Sequence, residues 1–335
     1  MGTTTASDLA QLQEAVEAHI READAEIGVF IRHLPSGKAV STNPDALYLM
    51  ASVFKIPILL EALAQVDEGE CRLDERIELH AEDQLPTSMI LGNLQPGLQP
   101  TLRDLLTAMI TVSDNTATDM VLRRIGIERV GRRLAAWGLT STSLLMSVQG
   151  LFEHAFTWRD SPVSMVRAYR AAIARGPLVD PFSGAIDESF LEAMSRGANW
   201  EAVSAQRSLE NNVTSPRDMA SLLERLVTGE LLSRESTGVA LDILLRQQLN
   251  QRLPRYLPPT VPVGHKTGTF YTSRNDAGIL YLPEGERIVI ATFSVMRRER
   301  TEADPLQSVP YIDGVDGAMG RIARSAYDAF APQAG

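Results

Sequence analysis

The chain has 335 residues but a single cysteine, Cys71, only five histidines, and no apolar run long enough to cross a membrane. One cysteine excludes an intrachain disulfide and any cysteine-based metal site. Cys71 itself reads as a small buried apolar residue. The histidines include no i, i+4 pair, so the common helical metal-ligand pattern is missing and no cofactor is called for. Positive charge is also short. Lys and Arg number 32 against 42 Asp and Glu, a formal charge of −10, which argues against a nucleic-acid partner. The basic run Arg297 to Arg300 reads as a solvated strand end. The first residues, MGTTTASDLAQLQEAVEAH, have neither the basic start nor the apolar core of a signal peptide. That fits a cytoplasmic protein or an exported one whose leader has been removed. What remains, 44% hydrophobic and 22% charged residues, is the composition of a globular domain with a large core.

Along the chain, Ser7 to Ala25 repeats apolar residues at helical spacing, with Ser7 or Asp8 as N-cap. Next comes IGVFIRHLPSGKAVSTN, two apolar runs around Pro35, Ser36 and Gly37, the pattern of a β-hairpin. Residues 51–66 read as an apolar helix, and the chain stays helical to about residue 250 through LRDLLTAMI, VGRRLAAW, VSMVRAYRAAIA and PRDMASLLERLV. Pro216 suits the first turn of the last of these. Strand character returns in VPVGHKTGTF, DAGILYLPEG and RIVIATFSVM, with PEGE as a hairpin turn, before a final helix MGRIARSAYDAF. The expected class is therefore α/β of the α+β kind: an antiparallel sheet flanked by N- and C-terminal helices, with an all-helical domain inserted. Residues 1–50 and 252–335 would form the sheet domain and 51–251 the helical one, with the active site between them.

Three short motifs carry chemistry. In Ser52-Val53-Phe54-Lys55, positions i and i+3 share a helix face, so the Lys55 amine is within reach of the Ser52 hydroxyl. Serine is a weak nucleophile until a base takes its proton, and an amine desolvated by Phe54 and Ile56 has the lowered pKa to be that base. Ser113-Asp114-Asn115 reads either as a helix cap or as a proton-shuttling hydroxyl beside an amide that holds Lys55 and substrate. Lys266-Thr267-Gly268-Thr269 reads either as an edge strand ending in a turn or as a charge and a hydroxyl offered to a carboxylate. In the latter reading Gly268 lets substrate lie close to the strand.

The three motifs occur in one order and on suitable elements. Together they resemble the SxxK, SDN and KTG set of class A β-lactamases and penicillin-binding-protein-like serine hydrolases. ALYLMASVFKIPIL, QPTLRDLLTAMITVSDNTATDMVL, SPRDMASLLERLVTGELLS and KTGTFYTSRNDAGILYLPEGERIVIATFS extend the resemblance to nearly the whole chain outside residues 145–212. The resemblance implies that Ser52 is acylated, Lys55 is its general base or proton relay, and Ser113 passes the proton to the leaving nitrogen. Asn115 would orient Lys55 and bind the substrate amide, while Lys266 and Thr267 would hold the substrate carboxylate. The backbone N–H groups of Ser52 and Thr269 would form the oxyanion hole. Asn275-Asp276 would place Arg274 as a second carboxylate-binding residue.

The family's Glu-x-x-Leu-Asn signature, whose glutamate activates the deacylating water, is missing. Counting forward from Ser113 lands on Val148 or Gln149, and counting back from Pro216 lands near Asn199 and Glu201. Glu153, Glu188, Glu192, Glu201 and Glu210 are all candidates, so the base is unassigned. The insertion between the counts reads as a helix, a Pro/Gly loop and another helix that reshape the pocket mouth. The leading functional expectation is a β-lactamase acting on the β-lactam amide. The alternatives are a DD-peptidase, amidase or esterase of the same fold, and a stalled penicillin-binding sensor. The expected partner is a small molecule, a β-lactam or an acyl-peptide or ester with a carboxylate, and the expected state is a monomer.

Overall fold

The computed structural model describes residues 5–157, 166, 170, 173, 174, 207–297 and 305–331. It opens with α1 (Ala6–Glu22), whose cap is Thr5 in a reciprocal capping box with Asp8. The expected caps, Ser7 and Asp8, lie one and two residues inside the helix. Threonine in an extended conformation can accept from the third helical N–H, and Asp8 answers from the first turn.

β1 (Ala25–His33) and β2 (Ala39–Thr42) form the hairpin, with Gly37 in the left-handed region at φ +67°. β5 (Val263–Phe270), β6 (Ser273–Tyr281) and β7 (Arg287–Met296) complete an antiparallel sheet of order β2-β1-β7-β6-β5. The two chain ends meet directly: β1 pairs with β7 from Ala25↔Met296 to His33↔Ile288. Along β7, Ile288 and Ile290 face one apolar cluster with Leu12 and Val16 of α1. Val289, Ala291 and Phe293 face a second cluster with the middle of the chain. Burial on both faces explains why IVIATF does not alternate with polar residues, its one hydroxyl, on Thr292, being bonded to the Asp276 carbonyl.

The middle of the chain carries α2 (Lys55–Asp67), α3 (Leu102–Thr111), α4 (Asn115–Ile125), α5 (Ile127–Ala136), α6 (Val148–Thr157), α7 (Pro216–Val227) and α8 (Arg234–Leu245). α2 is buried on every side from Lys55 to Gln65, the signature of an interior helix. Its one buried carboxylate, Glu61, is neutralised by Arg133 at 2.7 Å and Arg129 at 3.4 Å. Residues 51–66 are not one α-helix, however. Ala51–Phe54 form a 3-10 turn entered through Ala51 at φ +46°, and the α-helix starts at Lys55. Apolar spacing does not distinguish the two geometries.

A two-residue pair, β3 (Tyr48–Leu49) with β4 (Val213–Thr214), adds a small second sheet. The last helix, α9 (Pro305–Phe330), is longer than the expected 319–330 segment and contains Pro310. Pro310 and the glycines ahead of Met319 are poor helix formers, yet burial of Val315, Ala318, Met319 and Ile322 against the sheet sustains the helix. Apart from α6, the helix–loop–helix expected between 145 and 212 lies largely outside the described residues, as do Arg298 to Arg300. Among the described residues, no helix is long and apolar enough to cross a membrane.

Candidate active site

Ser52 sits, half-buried, in the 3-10 turn between β3 and α2. Its carbonyl accepts from the Lys55 N–H, so the hydroxyl stands at the start of a helical segment with N–H groups still to be satisfied. This turn is clamped from two sides. The Asn275 side chain on β6 donates Nδ2 to the Leu49 carbonyl at 2.8 Å and the Met50 carbonyl at 3.1 Å, and accepts from the Ser294 N–H at 3.0 Å. Gly268 on β5 lies beneath it. A Cβ at that position would stand 2.6 Å from the Met50 carbonyl oxygen and 3.1 Å from the Val53 nitrogen. The glycine is therefore required by the Ser52 turn itself, whereas its place in the motif suggests a role toward substrate.

Lys55 is fully buried. Its Nζ donates to the Ser113 carbonyl at 2.7 Å, to Ser113 Oγ at 3.0 Å and to Asn115 Oδ1 at 2.8 Å. Burial pushes the amine down to about 7, and the negative charges of Asp114 and Asp119 hold it from falling further. Three bonds saturate an ammonium. A neutral amine has two N–H groups and a lone pair, so losing the proton leaves Nζ able to accept a hydrogen bond.

The SDN turn is built to present these groups. Ser113 takes φ +60° where α3 ends. Asp114, fully buried, caps α4 through Oδ1 to the Ala117 N–H at 2.8 Å, while Oδ2 accepts from the Ile90 and Leu91 N–H groups at 2.7 and 2.9 Å. Asn115 donates Nδ2 to Thr87 Oγ1 at 2.8 Å, which fixes the amide with its oxygen toward Lys55.

On β5, Lys266 is fully buried, with Nζ donating to the Thr267 carbonyl at 2.8 Å. Burial, and after it the positive Lys55, drive this amine well below its ordinary value. Thr267 is buried opposite Asp276, and Thr269 is exposed opposite Arg274. Asp276 is engaged by His265 Nδ1 at 2.9 Å and the Leu253 N–H at 3.1 Å. Arg274 is the predicted residue that stands apart. Its Nε and Nη2 both donate to Asp316 of α9, a bidentate pair directed at the protein's own carboxylate.

α6 is tied to these residues through Asp119. Asp119, one turn beyond Asn115 on α4, accepts the Val148 N–H at Oδ1 and the Gln149 N–H at Oδ2, both at 2.8 Å. Burial raises the Asp119 carboxyl, and these two N–H groups oppose the rise. The forward count from Ser113 thus lands on the first turn of α6, where the side chain is Gln149, an amide. Gln149 donates Nε2 to Glu153 at 2.8 Å and accepts from Arg170 at 3.0 Å. Of the other candidate bases, Glu210 is exposed near β4, while Glu188, Glu192 and Glu201 lie outside the described residues.

Of Asp114, Asp119 and Asn275, sequence patterns reveal the structural work of the first alone. Asp114 carries a readable signal, an aspartate directly before an apolar helix. The other two bond backbone groups far away in sequence, and no local pattern announces that.

With this geometry in hand, comparison with known proteins is direct. The sequence profile of the beta-lactamase enzyme family matches residues 11–330. Beta-lactamase VEB-1 of Pseudomonas aeruginosa is 24% identical over 297 residues, 86% of this chain and 83% of that protein. The crystal structure of a beta-lactamase from Sphaerobacter thermophilus superposes with a TM-score of 0.70 at 26% identity, covering 96% of this chain and 97% of that one. A leucine-to-glutamate mutant of PBP-A, solved as an acyl-enzyme complex with penicillin G, superposes with a TM-score of 0.68 at 26% identity, again over 96% and 97%. The chain belongs to the beta-lactamase enzyme family, a family of hydrolases, and has its fold.

Proposed function

We propose that the chain is a serine hydrolase acylated at Ser52 by the amide of a β-lactam. The observation that carries this reading is the buried Lys55 amine, brought to about 7 and held by Ser113 and Asn115. In the acylation step Ser52 Oγ bonds to the amide carbonyl carbon as its proton passes to Lys55. The C–N bond then breaks, and Ser113 delivers the proton to the departing nitrogen. The negative oxygen of the tetrahedral intermediate is met by the Ser52 and Thr269 N–H groups. Lys266 and Thr267 take the substrate carboxylate and Asn115 its amide. Arg274, already paired with Asp316, serves at the margin. The site lies between the sheet part, 1–50 and 252–335, and the helical part, 51–251. A penicillin acyl-enzyme in the related PBP-A mutant supports penicillins as acylating agents.

Gln149 favours a second reading of the release step. Water must free the acyl group, and an amide on the first turn of α6 accepts no proton at neutral pH. In that reading the chain is a peptidase, amidase or esterase of the same fold that β-lactams acylate and then occupy. Chromogenic cephalosporin and penicillin turnover, measured together with intact mass over time, separates the two. Many turnovers with a transient adduct are the result for a β-lactamase, and a persistent one-to-one adduct is the result for the second reading. Ser52→Ala should abolish both adduct and turnover, a loss on the order of 10⁴-fold or more. Survival of either sinks Ser52 as nucleophile.

A further inference from the structure

Arg252 takes no part in the chemistry described so far, yet it is 4% exposed and makes four bonds around β5. Its Nη1 donates to the Gly268 carbonyl at 2.9 Å and to the Asn275 carbonyl at 2.6 Å, and its Nη2 donates to Thr269 Oγ1 at 2.5 Å. Its Nε is fixed by Asp316 of α9 at 2.8 Å. The helix can come this near because residue 320 is glycine, where a Cβ would stand 2.9 Å from the Arg252 carbonyl oxygen.

The Gly268 bond has a directional consequence. Gly268 and Asn275 are cross-strand partners, and one nitrogen reaches both of their carbonyls, so the Gly268 carbonyl points inward, toward β6. The peptide joining Gly268 to Thr269 is trans, as is every described peptide, so its N–H points the opposite way from its carbonyl. β5 is the outer strand of the sheet. The Thr269 N–H is therefore turned to the open edge, on the strand that packs under the Ser52 turn through Gly268. Asn275, whose carbonyl Arg252 also holds, grips the Met50 carbonyl two residues before Ser52. One guanidinium thus braces both arms of the oxyanion hole, the Thr269 arm directly and the Ser52 arm through Asn275.

We infer that Arg252, tethered by Asp316, is a positioning residue that aims the Thr269 N–H at the developing oxyanion. This inference rests on Ser52 being the acylated nucleophile. It differs from a role for Arg252 in attracting the substrate carboxylate, which would act on binding and vanish for substrates without that group.

The test compares wild type with Arg252→Lys, which keeps charge and stem but loses the planar fork. Two substrates are used, nitrocefin, which carries a carboxylate, and p-nitrophenyl acetate, which does not. The maximal acylation rate should fall about 100-fold with both, with little change in KM, as for loss of one oxyanion donor. In the infrared spectrum of the penicillin acyl-enzyme, the ester carbonyl band should move up toward the frequency of a free ester. A loss confined to nitrocefin and expressed in KM overturns the inference, and so does an unmoved band. If p-nitrophenyl acetate does not acylate the wild type, the band decides alone. Should Arg252→Lys fail to fold, Asp316→Asn leaves Arg252 in place without its charged tether. It should shift the band in the same direction by less, and an unmoved band there also overturns the inference. If wild type shows no Ser52 adduct with any substrate, the acylation reading falls, separately from the role of Arg252.

Discussion

α4 serves two walls of the same site, and the two are finished in opposite ways. At its first residue, Asn115 helps hold a buried amine at about 7. One turn on, Asp119 organises the α6 floor, and that floor ends in the neutral Gln149, bonded on both sides. On the proposed mechanism the first wall moves a proton, and the second holds shape. The same helix can do both because its carboxylates, Asp114 and Asp119, are spent on backbone N–H groups rather than on substrate. On that mechanism, proton transfer for acylation and proton transfer for release are separately adjustable.

The sharpest way to break this contrast is at Lys55. Lys55→Met removes the proton acceptor while keeping an unbranched apolar stem, and acylation should slow on the order of 10³-fold in stopped-flow measurements. In the wild type the sign of the pH dependence is set by which form works. The neutral amine accepts the proton, so the acylation rate should be flat above about pH 7 and fall as pH drops below it. A rate that stays level two pH units lower removes Lys55 as the acceptor.

The second wall is tested by adding what it lacks. Gln149→Glu places a carboxylate on the first turn of α6, and loss of the acyl adduct, tracked by mass, should speed up about 100-fold while acylation changes little. No acceleration would mean that release is limited elsewhere. The smallest effect is expected from Asp119→Ala. It leaves the Val148 and Gln149 N–H groups without their acceptor and should cost about 1–2 kcal/mol in urea unfolding, the usual value of a lost helix cap. An unchanged midpoint would show that α6 is moored by other contacts.

These contrasts also mark what a sequence can convey. Ser52, Lys55, Ser113, Asn115, Lys266 and Thr267 stand out because each belongs to a short motif with a residue type that the proposed chemistry requires. The α+β sheet is legible from strand character at both ends of the chain. Ala51 gives no hint of its left-handed backbone, because alanine has no preference for it. Arg252, Asn275 and Asp119 act on backbone carbonyls and N–H groups contributed by other elements, and side-chain patterns carry no record of those partners. Arg274 shows the reverse case. Its place beside Asn275-Asp276 suggests a carboxylate ligand, but Asp316, 42 residues later, reaches it in the folded chain. A long-range ion pair cannot be read from either neighbourhood alone.

The pairing of β1 with β7 bears on the order in which the molecule can be made. Ala25 and Met296 are partners in the sheet, so a chain leaving the ribosome carries its first strand unpaired on that side until nearly the whole sequence has emerged. Loop closure over such a span is slow, and an open strand edge invites wrong partners in the meantime. The Ser52 turn is synthesised early, but the strands that clamp it, β5 and β6, come late. Chain shortened before β7 should therefore accumulate as aggregation-prone material with no assembled site, however complete its Ser52 and Lys55 helix.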